Sequence, residues 1–233
     1  MVRIVHSSDW HGQKKKLPFA DIYIFTGDMY PNFGVPPRDV RSVIWDPIEP
    51  VSEAKQQRNW ASSKDGQLRS VLENQEAPVL CVRGNHDFTD ARFQHMNAEE
   101  IFVPVNTFEA CGLKFGGMRG VPPINARWAD ELEDAEFEYK ARQLPDDIDV
   151  LVTHAPPYGI LDDITTFRPL ESEYLGSQAL RAYVNRRHIQ EGNDKPALKL
   201  HCFGHIHERG GQLEKHGNTW FSNAATTFNI IDL

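Results

Sequence analysis

Val79-Leu80-Cys81-Val82-Arg83-Gly84-Asn85-His86-Asp87 runs from an apolar stretch through a glycine into three polar side chains. The apolar residues read as a buried β-strand. The glycine allows a tight turn in which an amide and an imidazole are presented together. The pattern recurs on both sides. Asp9-Trp10-His11 follows Val2–Val5, Gly27-Asp28 follows Ile22–Phe25, Thr153-His154 follows Val150–Val152, and Gly204-His205-Ile206-His207 follows Leu198–Phe203. Alone, each has an ordinary explanation: a strand-ending turn for Gly27-Asp28, a hydrogen-bonded core histidine for His154. Five in order, each closing a strand, point to side chains that converge at the carboxyl edge of an α/β sheet. In Gly204-His205-Ile206-His207 the spacing also puts both imidazoles on one side of an extended segment.

The 233 residues suffice for a full core without staples. No Gly/Ser linker, repeat or low-complexity tract divides them, so residues 1–233 read as one domain. A formal charge of −8 argues against a broad nucleic-acid-binding surface. Lys14-Lys15-Lys16 is the main basic cluster, and it reads as a solvated loop that could touch an anionic substrate. Three cysteines without a spacing pattern suit reduced thiols and a cytoplasmic protein. The chain opens directly into a strand with no signal peptide, and no apolar run approaches membrane-spanning length. A homo-oligomer is left open.

Tyr30–Val51 is a proline-rich excursion, long for a loop, and reads either as a lid over the site or as edge packing. A helix is expected from Glu53 to about Asn74, with Trp60, Ala61, Leu68, Val71 and Leu72 on one face. Ile101–Val105, Thr107–Ala110 and Leu113–Phe115 form a hairpin-rich region. Further helices are expected over Ala129–Arg142 and Ser177–Arg187, then closing strands over Thr219–Ser222 and Thr226–Asp232. Early βαβ units followed by antiparallel-looking strands suggest an α/β (α+β) chain with two mixed sheets packed together and helices outside.

Hydrolysis of a phosphate ester needs a strong nucleophile at neutral pH and positive charge around the phosphoryl oxygens. Two divalent metals ~3.5–4 Å apart supply both. A mixture of imidazole, carboxylate and amide donors suits Mn, Fe or Zn better than Mg or Ca.

The ordered set, from Asp9 to His207, resembles the calcineurin-like metallophosphoesterase superfamily. Val150–Asp162, Leu200–Glu208 and the ending Asn218–Leu233 are similar to one branch, the metallophosphoesterase-domain (MPPED) proteins and the related class III cyclic-nucleotide phosphodiesterases. The resemblance implies a four-layer αββα sandwich and a dinuclear-metal phosphodiesterase that also takes phosphomonoesters. It implies that Asp9, His11 and His207 bind one metal, that Asn85, His154 and His205 bind the other, and that Asp28 bridges them. Asn85 and His86 would face the substrate. His86, not a ligand, would protonate the leaving oxygen or stabilise the phosphoryl group. The substrate would be a small phosphoester, a nucleotide among the candidates.

The chain departs from the protein-phosphatase pattern Gly-Asp-x-x-Asp-Arg-Gly, for it runs Gly27-Asp28-Met29-Tyr30-Pro31-Asn32-Phe33. That weakens a protein-phosphatase reading and leaves the group that orients His86 open, Asp87 being its neighbour in sequence. His205 is present, whereas some relatives in that branch have lost it, which implies an intact catalyst. The alternatives are a nuclease, which the acidic charge weakens, and a non-catalytic scaffold, which the full ligand set weakens.

Overall fold

The computed structural model describes residues 1–34, 49–89, 98–100, 107–124, 127–164, 174–189 and 197–233. Most of the Tyr30–Val51 excursion and the expected strand Ile101–Val105 lie outside these residues. The first sheet holds β1 (Arg3–Ser7), β2 (Ile22–Phe25), β3 (Val79–Cys81), β4 (Glu99–Glu100) and β11 (Phe228–Asp232), in the order β11-β1-β2-β3-β4. The second holds β5 (Phe108–Ala110), β6 (Leu113–Met118), β7 (Val150–Thr153), β8 (Leu200–Phe203), β9 (Gln212–His216) and β10 (Thr219–Asn223), in the order β5-β6-β7-β8-β10-β9.

Both sheets are mixed, as expected, but the antiparallel pairs are confined to edges: β11 on β1, β5 on β6 and β9 on β10. The inner pairs are parallel in the second sheet as well as the first. Parallel strands end on the same side, so the polar residues after β1, β2 and β3 share one edge. Those after β7 and β8 share the matching edge of the other sheet.

Residue alternation along each strand sorts the core into layers. Ile4, Ile22, Ile24, Leu80 and Val82 pack against Phe115, Val150, Val152, Leu200 and Cys202 between the sheets. Val5, Tyr23, Phe25, Val79 and Cys81 face the other way, against Ala61 and Trp60 of helix α1 (Pro50–Ala61). Leu151, Phe203 and Phe221 face helices α2 (Asp134–Arg142) and α3 (Gln178–Ile189) through Phe137, Ala141, Leu180, Tyr183 and Val184. The architecture is therefore the helix–sheet–sheet–helix sandwich expected.

Helix boundaries shift for local reasons. α1 begins earlier than Glu53 because the Glu49 carboxylate accepts from Val51 N and Ser52 N, with Pro50 in the first turn. It ends at Ala61 because Ser62 and Ser63 turn their hydroxyls onto the Arg58 and Trp60 carbonyls. A short 3-10 turn over Leu68–Val71 replaces the rest of the expected helix. α2 begins at Asp134 instead of Ala129 because the Glu131 carboxylate gathers the N–H groups of Ile124, Arg127 and Trp128 into a loop. Strand β9 was not expected. Its side chains are mostly exposed and polar, so no apolar alternation announces it.

Candidate metal centre

Asp9 and His11 follow β1, Asp28 follows β2, and Asn85 and His86 follow β3; His154 follows β7, and His205 and His207 follow β8. The backbone at four of these positions is left-handed: Asp9 at φ 54°, His11 at 46°, Asp28 at 54° and His205 at 70°. Such conformations cost non-glycine residues on the order of 1–3 kcal/mol each and persist where the surroundings over-determine them. Here the restraints are visible. Asp9 N donates to Gly27 O and His11 N to Asp28 O, both at 2.9 Å.

The buried Asp87 carboxylate is the main knot. Its oxygens accept from Asp28 N at 2.7 Å, Gly84 N at 2.9 Å, Met29 N at 3.0 Å and Tyr30 N at 3.2 Å. Asp87 thus ties the loop after β2 to the loop after β3, which differs from a role as partner of the His86 ring. Burial and the nearby Asp28 carboxylate push its pKa up to about 7, against the pull of those N–H groups.

The motif glycines answer to space. A Cβ on Gly84 would lie 2.1 Å from Asp28 Oδ1, and one on Gly204 would lie 2.2 Å from Asp9 Oδ2. The tight turn expected at Gly84 is present, with Asp87 N on Gly84 O at 3.2 Å, but Gly84 is not among the left-handed residues, so space and not backbone conformation demands the glycine. Only glycine lets the third and eighth strands bring their loops against the carboxylates.

The candidate donors converge in overlapping groups. Asp9 Oδ1 lies 3.1 Å from His207 Nε2, which lies 3.4 Å from His11 Nε2. His154 Nε2 lies 3.0 Å from Asn85 Oδ1 and 3.3 Å from Asp28 Oδ2. Asp9–His11–His207, His11–Asp28–His86 and Asp9–Asp28–His154 each offer ligand atoms within 4.8 Å of one another. His205 stands beside them, its ring 5.0 Å from that of His154 and its backbone N–H on Asp9 Oδ2 at 3.0 Å. All eight residues singled out in the sequence therefore come together.

The donor set fits a cation. His154 Nδ1 lies 2.5 Å from the Thr26 carbonyl and must carry a proton to bond it, leaving Nε2 facing two oxygen acceptors. Either a second ring proton or a metal ion satisfies that arrangement. Burial works against charge on this ring, yet the Asp28 carboxylate pushes its pKa up to about 10. Burial equally opposes charge on Asp28, and His154 and His86 hold that carboxyl well below the usual range. For Asp9, burial is likewise outweighed, here by the His207 hydrogen bond and the charge on His154, and its pKa falls. Burial pushes His205 down to about 3, so this ring is neutral. These clusters are compatible with a dinuclear metal site.

His86 is held from several sides. Its backbone N–H donates to Asp28 Oδ1 at 2.7 Å, and its ring Nε2 stands 3.9 Å from Asp28 Oδ2. Trp128 covers one face, with ring centroids 3.8 Å apart and planes inclined by 34°. Its Nδ1 lies 2.8 Å from Asn32 Oδ1. Burial pushes its pKa down to about 4, although Asp28 acts in the opposite sense. Asn32 and Trp128 were not read from the sequence as site residues. Asn32 stands one place beyond the second Asp of the protein-phosphatase pattern, the one signal that could have marked it.

Among known proteins, metallophosphoesterase domain-containing protein 1 of Homo sapiens is 24% identical over 256 aligned positions, spanning 97% of this chain and 67% of its own length. A UPF0046 protein of Caenorhabditis elegans is 39% identical over 114 positions, 49% of this chain and 32% of that protein. The crystal structure of TT1561 of Thermus thermophilus aligns over 99% of this chain and 98% of its own, with a TM-score of 0.47 and 11% identity. The sequence profile of the calcineurin-like phosphoesterase family matches residues 2–209, and the chain belongs to that family.

Proposed function

We propose that the chain is a dinuclear-metal phosphoesterase. It hydrolyses a small phosphodiester, with cyclic nucleotides among the candidates and phosphomonoesters as a second class. Residues 1–233 would act as one catalytic domain. The observation that carries this reading is the buried His154 ring, its Nδ1 committed to Thr26 O and its Nε2 set between Asp28 and Asn85. Those two acceptors favour positive charge at Nε2, which a bound metal ion would supply.

Asp9, His11 and His207 would hold one divalent ion, Asn85, His154 and His205 the other, and Asp28 both. When bound, two such ions would supply acidified water and positive charge at the phosphoryl oxygens. The donor mixture favours Mn, Fe or Zn. The charge of Asp28 would offset repulsion between the cations. Asn85 and His86 would meet the substrate, and His86 would give a proton or a hydrogen bond through Nε2. The negative charge of a bound phosphoester would favour a proton on that ring. Three free cysteines support a reducing, cytoplasmic setting, and no described helix is long and apolar enough to cross a membrane.

The test is metal analysis joined to a substrate screen. The purified protein should carry about two transition-metal ions per chain, lose activity to a chelator and regain it with manganese. It should hydrolyse a chromogenic phosphodiester. Metal binding without turnover on diesters, monoesters or short nucleic acids would identify a scaffold instead. A strong preference for short nucleic acids would identify a nuclease.

A further inference from the structure

We infer that Asn32 is the positioning residue of His86, and that helix α1 holds the two in register through Glu53 and Gln57. The inference rests on the role given to His86 above and adds the machinery that aims it.

Asn32 Oδ1 lies 2.8 Å from His86 Nδ1, a good hydrogen-bond distance across 54 residues of sequence. An acceptor there keeps the proton on Nδ1 and leaves Nε2 facing Asp28, where the substrate would sit. The amide nitrogen of Asn32 is 3.4 Å from His11 Nδ1, long for a hydrogen bond, so the contact to His86 decides the orientation. Trp128 fixes the plane of the ring but would equally accept a half-turn flip about Cβ–Cγ, which the hydrogen bond to Asn32 opposes.

Both loops are clasped by one helix. Glu53 and Gln57 are one turn apart on α1 and almost wholly buried, 1% and 0% exposed. Glu53 Oε1 accepts from Phe33 N at 2.7 Å, next to Asn32. Gln57 donates from Nε2 to His86 O at 2.6 Å and accepts from Phe88 N at Oε1 at 2.9 Å, bracketing His86 as a neighbouring strand would. Buried polar groups at i and i+4 on an amphipathic helix are costly unless bonded. Here their bonds run to the two segments that must meet for Asn32 to reach His86. Asn32 belongs to the start of the Tyr30–Val51 excursion, so that part of the excursion serves the chemistry as well as access.

The test uses the metal-loaded protein and two diesters, one with an alkyl or ribose leaving group and one with nitrophenolate. Asn32→Ala should lower kcat by about 10–100-fold for the poor leaving group and much less for nitrophenolate, part of the ~10²–10⁴ a positioned general acid contributes. Asn32→Asp, which keeps the acceptor, should restore most of that loss. The double variant Asn32→Ala/His86→Ala should be no slower than His86→Ala alone. Independently of turnover, the zinc-loaded protein with labelled histidines should show a protected His86 Nδ1–H resonance that Asn32→Ala removes. A uniform loss across leaving groups, full additivity with His86→Ala, or an unchanged Nδ1–H signal would overturn the inference. Absence of hydrolysis by the wild type would instead overturn the phosphoesterase reading, with the resonance still deciding whether Asn32 holds the ring.

Discussion

The two helical layers of the sandwich bury different chemistry. Helix α1 turns Glu53, Ala54, Gln57 and Ala61 inward, two polar and two small residues. Its polar pair reaches backbone at Phe33, His86 and Phe88, on the carboxyl side of the first sheet. On the other side, α2 and α3 turn in Phe137, Ala141, Leu180, Tyr183 and Val184 against the second sheet. Their buried cation, Arg187, donates to Ile148 O at 2.9 Å, before the start of β7 and away from the His154 end. One layer braces the loops of the site, and the other fills a core. A helix can do the first only if its buried polar groups find partners, which restricts it to a position beside loops with free backbone donors and acceptors.

That contrast can be broken at both ends. The largest effect is expected at the site itself. Asp28→Asn removes the charge proposed to offset two cations. Activity should fall by more than the ~10–100-fold typical of losing a residue that merely supports a ligand. Metal analysis should find at least one ion missing while circular dichroism stays native. Full occupancy with near-normal turnover would refute the bridging role. Next comes Leu180→Ala in the apolar layer, expected to cost about 2–5 kcal/mol by denaturant unfolding. The kcat per folded molecule should stay unchanged, and a specific loss of kcat would mean that this layer also supports the site.

Gln57→Met tests the bracing layer. It keeps length but removes both bonds to the His86 loop, for about 1–3 kcal/mol of stability. Unlike Leu180→Ala it should also lower kcat by ~10-fold, with the same leaving-group dependence as Asn32→Ala. The smallest effect belongs to Glu138→Ala, which opens an exposed i,i+4 pair with Arg142 on α2. A change of about 0.3–0.5 kcal/mol and no change in turnover are expected. A larger shift in either would place unrecognised work on that outer face.

The strands that lead into the site and the candidate ligands were legible in the sequence because their signals are local. Val79–Val82 announces β3 by composition, and the polar groups of Asn85 and His86 follow it directly. Gly116 and Gly117 hid the second half of β6, since glycine carries no side chain to show alternation, and Ile148 packs into the space at Gly116. Helix α2 was placed too early because the acidic run from Asp130 looks helical. The Glu131 carboxylate instead binds three preceding backbone N–H groups.

From the residues alone came the inventory of chemistry and its order: carboxylates, amide and imidazoles, each at the end of a short, mainly apolar run that reads as a strand. Pairing came from packing in three dimensions. Asp87, adjacent to His86, was turned to the backbone of Asp28, Met29, Tyr30 and Gly84. Asn32, far away in the chain, was brought to the imidazole. An amide or carboxylate accepts from any donor within about 3 Å, so its own residue type does not name its partner. Only the packing of β2, β3 and α1 brings one donor into range and carries the others away.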